Sequence, residues 1–159
     1  ELDPEKMYHQ AKLISGLADN IWVKIPCHAH YYPVIKELVQ QDVKLNITLV
    51  FSLLQSVMMC KLGVYYISPF VGRLEQAGHD GVELLYQIRH MIDYYGFETK
   101  MLAASLRSVE HVQQAVLAGS DAATMAPTIF EQAIAHELTD KGMQTFAQDW
   151  QKIQRGVFP

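Results

Sequence analysis

The sequence predicts an α/β fold, in which short parallel strands alternate with helices to form a (β/α) barrel. Five apolar segments of strand length alternate with segments of helical periodicity, a pattern typical of a parallel sheet with covering helices. No linker, low-complexity tract or break in composition interrupts the 159 residues. Residues 1–159 are therefore expected to form a single domain.

The expected helices are marked at their starts by N-capping residues or by a proline in the first turn, and at their ends by glycines. Pro4 lies in the first turn of the first helix, Ser108 and Thr139 are expected N-caps, and Gly63 and Gly96 are expected stops. The helices are predicted over residues 4–17, 33–41, 52–62, 82–95, 108–117, 129–135 and 139–153.

The expected strands lie between these helices, at residues 20–25, 43–49, 64–68, 100–104 and 122–125. A glycine-rich loop, with Gly72, Gly78 and Gly81, is expected to lead from the third strand into the following helix.

Alternation along the strands distinguishes a barrel from an open doubly wound sheet. Ile21, Val23 and Ile25 share one face of the first strand, and Trp22 and Lys24 share the other. The second strand alternates in the same way, with Leu45, Ile47 and Leu49 on one face and Asn46 and Thr48 on the other. In the third strand Ile67 lies on the face opposite to Tyr66, Ser68 and Phe70, and in the fourth strand Ala103 and Ser105 share a face. An open sheet with helices on both faces needs two apolar faces, whereas a barrel places polar groups at its C-terminal mouth. The barrel is favoured.

Lys24 is the most unusual residue of this pattern, because an ammonium group is costly to place in an apolar setting. Desolvation favours the uncharged amine, which is the nucleophile in Schiff-base chemistry. A solvated lysine at a strand end and a buried ion pair are the alternatives, and spacing alone favours these two over a reactive amine.

Several motifs together resemble the transaldolase family. They are Val-Lys-Ile-Pro at 23–26, Leu-Asn-Ile-Thr-Leu-Val-Phe-Ser at 45–52, Ile-Ser-Pro-Phe-Val-Gly-Arg at 67–73, Met-Leu-Ala-Ala-Ser-Leu-Arg at 101–107 and Phe-Ala-Gln-Asp-Trp at 146–150. Their order and separations fit the family from about residue 7 to residue 152. The resemblance implies a (β/α)8 TIM barrel of transaldolase type, of which this chain supplies about the last five units.

The resemblance implies a class I aldolase in which Lys24 forms an imine with a ketose phosphate. The imine then acts as the electron sink while the C3–C4 bond breaks, and no cofactor or metal is required. Asn46, Thr48 and Ser68 match groups that hold the hydroxyls of the dihydroxyacetone unit and a catalytic water. The alternative for Asn46 and Thr48 is a hydrogen bond across the barrel interior.

Arg73, Ser105 and Arg107 match the residues that bind the substrate phosphate in that family. A guanidinium group can donate two hydrogen bonds to phosphate oxygens, and Ser105 precedes a helix whose N-terminus favours an anion. The alternative is a pair of surface arginines in exposed salt bridges.

Phe70 bears on the choice of reaction, because transaldolases have Phe at this place, whereas the related fructose 6-phosphate aldolases have a Tyr that manages a proton. Transfer of the dihydroxyacetone unit from sedoheptulose 7-phosphate or fructose 6-phosphate to an aldose phosphate, in the pentose phosphate pathway, is thus favoured. Simple aldol cleavage and a catalytically silent, truncated barrel are the alternatives.

The resemblance also implies N-terminal strands that this sequence does not contain, which carry an aspartate acid/base and an asparagine. Residues 1–3 resemble the end of a third strand, so Glu1 is a candidate for the position near the catalytic water. Five strands without the rest of the barrel would form an arc with exposed sheet edges. Either further strands of a longer protein or strands of an oligomer partner would cover these edges. The short aldolase-type subfamily forms homo-oligomers, pentamers and decamers, through its terminal helix.

Composition argues against other partners. A net charge of −4 gives no reason to expect nucleic acid, and the apolar tract 47–60 is too short and too polar for a membrane span. Two separated cysteines, Cys27 and Cys60, are typical of a cytoplasmic protein with reduced thiols. His28 and His30 lack the carboxylate or cysteine neighbours of a metal site, and their rings are expected to reshape the entrance for the acceptor sugar.

Overall fold

The computed structural model describes residues 3–153, which contain five strands and eight α-helices. The strands are β1 (Val23–Pro26), β2 (Leu45–Val50), β3 (Tyr66–Pro69), β4 (Lys100–Leu106) and β5 (Ala122–Met125). The helices are α1 (Pro4–Ser15), α2 (Tyr32–Gln40), α3 (Leu53–Leu62), α4 (Val71–Gln76), α5 (Gly81–Tyr95), α6 (Val109–Leu117), α7 (Pro127–Ile134) and α8 (Glu137–Lys152). A 3₁₀ turn, Ala29–Tyr31, precedes α2.

All five strands are parallel and lie side by side in chain order, β1-β2-β3-β4-β5. A doubly wound sheet reverses its strand order at a switch point, whereas the wall of a (β/α) barrel does not. The predicted α/β fold of barrel type is confirmed, and the five strands form an arc of such a wall.

The core lies between the helices and one face of the sheet, which is called the outer face here. Side chains of alternate strand residues on this face, Val23, Ile25, Leu45, Ile47, Ile67, Met101 and Ala103, are at most 4% exposed. They belong to one apolar cluster with helix residues Ile35, Leu38, Met59, Leu85, Ile88 and Ile92. Burial of this apolar surface is the main term that stabilises the fold.

The helix ends mostly follow the expected signals. Ser52 and Ser108 cap α3 and α6 through their hydroxyl oxygens, and Gly63 and Gly96 end α3 and α5 in the left-handed region. The expected cap at Thr139 is wrong, because α8 begins two residues earlier and the His136 ring accepts a hydrogen bond from the backbone N–H of Leu138.

The expected glycine-rich loop after β3 is also wrong, since most of that segment is α4. Gly72 and Gly81 are buried. A Cβ on Gly72 would lie 2.6 Å from the Ser105 carbonyl oxygen, and a Cβ on Gly81 would lie 2.5 Å from the Val71 carbonyl oxygen. These two glycines therefore permit close packing of backbone. Gly78, with φ of +84°, is the one that makes the turn between α4 and α5.

Two β-bulges interrupt the alternation that the sequence predicts. In β2, the three steps from Ile47 to Val50 oppose the two steps from Ile67 to Pro69, and Leu49 has φ of +57°. Val50 is fully buried, whereas Leu49 is only half-buried, so the expectation that Leu49 shares the face of Leu45 and Ile47 is wrong.

In β4, the register shifts in the same way between Ala103 and Leu106, with Ser105 at φ of +59°. The regular alternation expected for Ala103 and Ser105 is thus broken. Both bulges lie in the C-terminal half of their strands, where bulges commonly re-aim side chains near functional sites.

The C-terminal region differs from the rest of the chain, because no residue from 119 to 153 is buried. Helix α8 exposes Leu138, Met143 and Phe146, each by more than half. None of the helices in residues 3–153 has both the length and the hydropathy to cross a bilayer.

Candidate active site

Lys24 and Asn46 are register partners on neighbouring strands, and Pro26 and Thr48 are partners two residues further along the same strand pair. Partners on adjacent parallel strands point to the same face and lie roughly 5 Å apart at their backbones. Lys24 and Asn46 alternate with the buried residues of the outer face, so they lie on the opposite face, which is called the inner face here.

Ser68 joins this row from β3. Its hydroxyl donates a hydrogen bond of 2.6 Å to the side-chain oxygen of Asn46, and the two residues are 0% and 9% exposed. A buried hydrogen bond between two short side chains fixes the orientation of both. No hydrogen bond to the Asn46 amide nitrogen occurs within residues 3–153, so this donor is available to a ligand.

Lys24 itself is exposed, which corrects the expectation of an apolar setting and matches the alternative of a solvated lysine at a strand end. The physical reason is that the five described strands form an open arc, and no second element covers the inner face within the described part of the chain. Lys24 takes part in no ion pair among residues 3–153. The predicted alternative of a buried ion pair is therefore not observed there.

The ring of Phe70 lies close to both the Lys24 amine and the first arginine of the site. The Lys24 Nζ is 6.0 Å from the ring centroid, and the Arg73 Cζ is 5.1 Å from it. Phe51 packs edge-on against the same ring at 5.9 Å. Both cationic groups thus lie near the same aromatic ring, at distances typical of a cation–π contact.

Arg73 and Arg107 come from different elements that are in close contact. Arg73 lies in α4, Arg107 follows β4, and both are exposed. Gly72 brings the two segments together, since a Cβ there would lie 2.8 Å from the Arg107 Cδ. Ser105 is half-buried beside them, and its positive φ is a strained conformation that is commonly found at functional sites.

Two residues that sequence reasoning missed connect these segments. The His111 Nε2 lies 2.8 Å from the Glu75 Oε2, and the His111 Nδ1 accepts a 3.2 Å hydrogen bond from the Arg107 backbone N–H. The available signal was weak, a histidine four residues after Arg107 in the first turn of a predicted helix. Its partner, 36 residues earlier, could not be identified from spacing.

The loop after β1 forms a rim of aromatic rings at the same end of the sheet. His28, His30 and Tyr31 lie with ring centroids 5.7–6.3 Å apart, and the His28 Nδ1 accepts a hydrogen bond from the His30 backbone N–H. No group of three or more potential metal ligands occurs in residues 3–153.

Cys27 lies below this rim, and burial raises the pKa of its thiol, partly offset by a contact with the Tyr32 hydroxyl. Burial likewise raises the pKa of Tyr32. Because a raised thiol pKa leaves little thiolate, Cys27 is not suited to be a nucleophile.

The remaining predicted site residues are Thr48 and Glu1. Thr48 is half-buried at the start of the β2 bulge, two residues along the strand from Asn46. Glu1 lies outside the described residues.

The arrangement defines a class of protein: a (β/α)-barrel enzyme with a lysine, an asparagine and a serine in one row at the mouth of the sheet. The family model for transaldolase/fructose-6-phosphate aldolase matches residues 1–157. The chain belongs to this family of aldolase-type enzymes, which share the TIM-barrel fold.

Two curated relatives are both named probable transaldolase. One, from Bartonella quintana (strain Toulouse), is 44% identical over 153 residues, which cover 96% of this chain and 70% of the relative. The other, from Lactiplantibacillus plantarum, is 45% identical over 150 residues, covering 94% of this chain and 69% of the relative. The chain thus spans about 70% of the length of these proteins.

A GMP reductase from Trypanosoma brucei is similar in structure, with a TM-score of 0.58 over 80% of this chain and 29% of that protein. At 14% sequence identity the likeness concerns the fold alone.

Proposed function

We propose that the protein is a transaldolase, which moves a dihydroxyacetone unit from a ketose phosphate to an aldose phosphate through a Schiff base on Lys24. The observation that carries the proposal is the row of Lys24, Asn46 and Ser68 on the inner face, with the last two residues hydrogen-bonded. The family membership and the relatives named probable transaldolase support the class of reaction.

The chemistry begins when the uncharged Lys24 amine attacks the C2 carbonyl of the donor, sedoheptulose 7-phosphate or fructose 6-phosphate. Loss of water gives the imine. The electron pair of the C3–C4 bond then flows into the imine as the C4 hydroxyl loses its proton, which releases an aldose phosphate and leaves an enamine on Lys24. The enamine carbon attacks the acceptor aldehyde, and hydrolysis of the new imine restores the amine.

Asn46, Thr48 and Ser68 would hold the hydroxyls of the bound dihydroxyacetone unit and the water that is lost and regained. The amide nitrogen of Asn46 is a free donor on the residue that is the register partner of Lys24. Because Ser68 already occupies the Asn46 oxygen, the amide is oriented before substrate arrives, which lowers the entropic cost of binding.

Arg73, Ser105 and Arg107 would bind the phosphate at the far end of the donor. Two guanidinium groups from adjacent segments can surround a phosphate, and the N-terminus of α6 adds a favourable dipole. Phe70 lies close to both Lys24 and Arg73 and, as a phenyl ring, supplies no proton for simple cleavage.

Reduction with borohydride tests the proposal directly. In the presence of fructose 6-phosphate, borohydride should trap a reduced sugar fragment on Lys24, which intact mass measurement and peptide mapping would detect. Lys44 is a matched control, because its Nζ also lies over an aromatic ring, that of Trp22 at 5.1 Å. Lys24→Ala should abolish the adduct and Lys44→Ala should retain it. Absence of an adduct, or its survival in Lys24→Ala, would contradict the proposal.

Product analysis separates transaldolase from fructose 6-phosphate aldolase, the other activity in the family's description. A transaldolase should form sedoheptulose 7-phosphate when erythrose 4-phosphate is added. Release of dihydroxyacetone and glyceraldehyde 3-phosphate without an acceptor would favour the aldolase. Sugar phosphate binding with neither product would favour a silent barrel.

The same proposal places the reaction in the pentose phosphate pathway, in the cytoplasm, and in a homo-oligomer such as a pentamer or decamer. The exposed apolar residues of α8 support the oligomer, since exposed apolar patches commonly mark contacts between chains.

A further inference from the structure

The two proposed phosphate-binding arginines stand on separate segments, so their spacing depends on what joins those segments. Arg73 lies in α4, a helix of only 6 residues, and Arg107 lies in the connection between β4 and α6. Both side chains are exposed. Long exposed side chains are held in place mainly by the backbone beneath them, and a phosphate needs both guanidinium groups at a defined separation.

His111 is bonded to both segments. Its backbone N–H donates to the Ser108 hydroxyl, which fixes the residue in the first turn of α6. Its Nδ1 accepts from the Arg107 backbone N–H at 3.2 Å, so that nitrogen carries a lone pair, and the hydrogen-bond network assigns the ring proton to Nε2. The Nε2–H then donates to the Glu75 carboxylate at 2.8 Å.

Glu75 completes the connection, because it lies in α4 two residues after Arg73. The His111 and Glu75 side chains are 15% and 36% exposed, so their contact is partly shielded from water and is stronger than an exposed pair. The chain of contacts runs from the backbone of Arg107 through the His111 ring to the helix that carries Arg73.

We propose that His111 is a positioning residue that, together with Glu75, sets the spacing of Arg73 and Arg107 for the phosphate group of the substrate. This rests on the proposed function in so far as the phosphate belongs to a donor sugar. His111 does not itself touch the phosphate. It acts through the Arg107 backbone and through the orientation of α4, where Gly72 already permits close contact with the same segment.

The first experiment measures binding of inorganic phosphate by isothermal titration calorimetry, which needs no catalysis. His111→Ala should weaken phosphate binding about tenfold, since a displacement of about 1 Å between groups that act together has effects of this order or more. Glu75→Gln keeps an acceptor for the Nε2–H, and His111→Asn keeps an acceptor for the Arg107 N–H, so each should lose less than His111→Ala. His90→Ala and Glu83→Ala, both exposed on α5, are the matched controls and should bind as the original protein does.

The second experiment uses kinetics and separates positioning from general loss of structure. With fructose 6-phosphate, His111→Ala should raise KM about tenfold with little change in kcat, whereas with unphosphorylated fructose both should stay unchanged. A thermal melt of each variant checks folding, and Glu75→Ala provides a second disruption at a half-exposed surface site. Adding Glu75→Ala to His111→Ala should raise KM little further, because both substitutions break the same contact between α4 and the Arg107 segment.

Unchanged phosphate affinity in His111→Ala would overturn the inference, as would equal losses with fructose and fructose 6-phosphate, or no phosphate binding by the original protein. Failure of the proposed function gives a different result. If Lys24 formed no borohydride adduct but His111→Ala still weakened phosphate binding, the positioning role would stand without the transaldolase reaction.

Discussion

The two faces of the sheet are built from neighbouring residues and have opposite properties. On the outer face Ile47, Ile67 and Met101 are 0% exposed beneath the helices. On the inner face Lys24 is exposed, and Asn46 and Ser68 share a buried hydrogen bond. The alternation of the strand places the two sets within one residue of each other. Stability therefore comes mostly from one face and the proposed chemistry from the other.

The strands also differ in regularity along their length. Both register shifts occur near the C-terminal ends of β2 and β4, at the same end of the sheet as the candidate site. Leu49 and Ser105 adopt positive φ at these places, a conformation that costs of order 1–3 kcal/mol for a residue with a side chain. The packed outer face compensates for that cost. The comparison predicts that substitutions on the two faces affect different measurements.

The largest expected effect belongs to the outer face. Ile47→Ala should lower the free energy of unfolding by about 2–5 kcal/mol, because it leaves a cavity where the side chain is fully buried. Urea denaturation would measure this. Borohydride trapping at Lys24 in the folded fraction should be unchanged.

Leu54→Ala is the control for Ile47→Ala, since Leu54 is 76% exposed and its loss should cost no more than about 0.5 kcal/mol. Equal losses in the two variants would contradict the division between the faces, and so would abolished trapping in folded Ile47→Ala.

Much of the fold could be predicted from the sequence, because strand alternation and helix capping are local effects. Ser108 acts as a cap and Gly63 and Gly96 act as stops where expected. The bulges could not be predicted, since Leu49 and Ser105 are ordinary residues for a strand and only the tertiary packing holds them at positive φ. Helix α4 was missed because glycines that permit close packing resemble glycines that form loops.

The candidate site divides in the same way. The row of Lys24, Asn46 and Ser68 follows from alternation on parallel strands, and the structure brings these residues together. The exposure of Lys24 and the contact between His111 and Glu75 could not be predicted. Both depend on which distant segments meet, and a local pattern holds no such information.

An intermediate effect is expected from the inner face. Ser68→Ala should lower the free energy of unfolding by about 1–3 kcal/mol, because the buried Asn46 oxygen loses its only donor within residues 3–153. Denaturation in urea gives this value, and borohydride trapping should slow because the Asn46 amide is free to turn.

Thr145→Ala is the matched control for Ser68→Ala. The Thr145 hydroxyl also makes one hydrogen bond, to the Lys141 carbonyl oxygen, but it lies on the exposed surface of α8. Its loss should cost about 0.5 kcal/mol or less. If Ser68→Ala were as mild as Thr145→Ala, the buried hydrogen bond would not hold Asn46 in place.

The smallest effect concerns the strained end of β4, where the sign of the change is informative. Ser105→Gly should leave the free energy of unfolding unchanged or raise it by up to about 1 kcal/mol, because glycine adopts the positive φ at no steric cost. Ala104→Gly, one residue earlier and buried without positive φ, should instead lower it by about 1 kcal/mol. Denaturation of both variants, together with calorimetry of phosphate binding, tests the comparison.

Ser105→Gly should bind phosphate more weakly although its fold is no less stable, since the hydroxyl that the proposal assigns to the phosphate is gone. A loss of stability in Ser105→Gly equal to that in Ala104→Gly would show that the positive φ at Ser105 is not a strain that the outer face compensates.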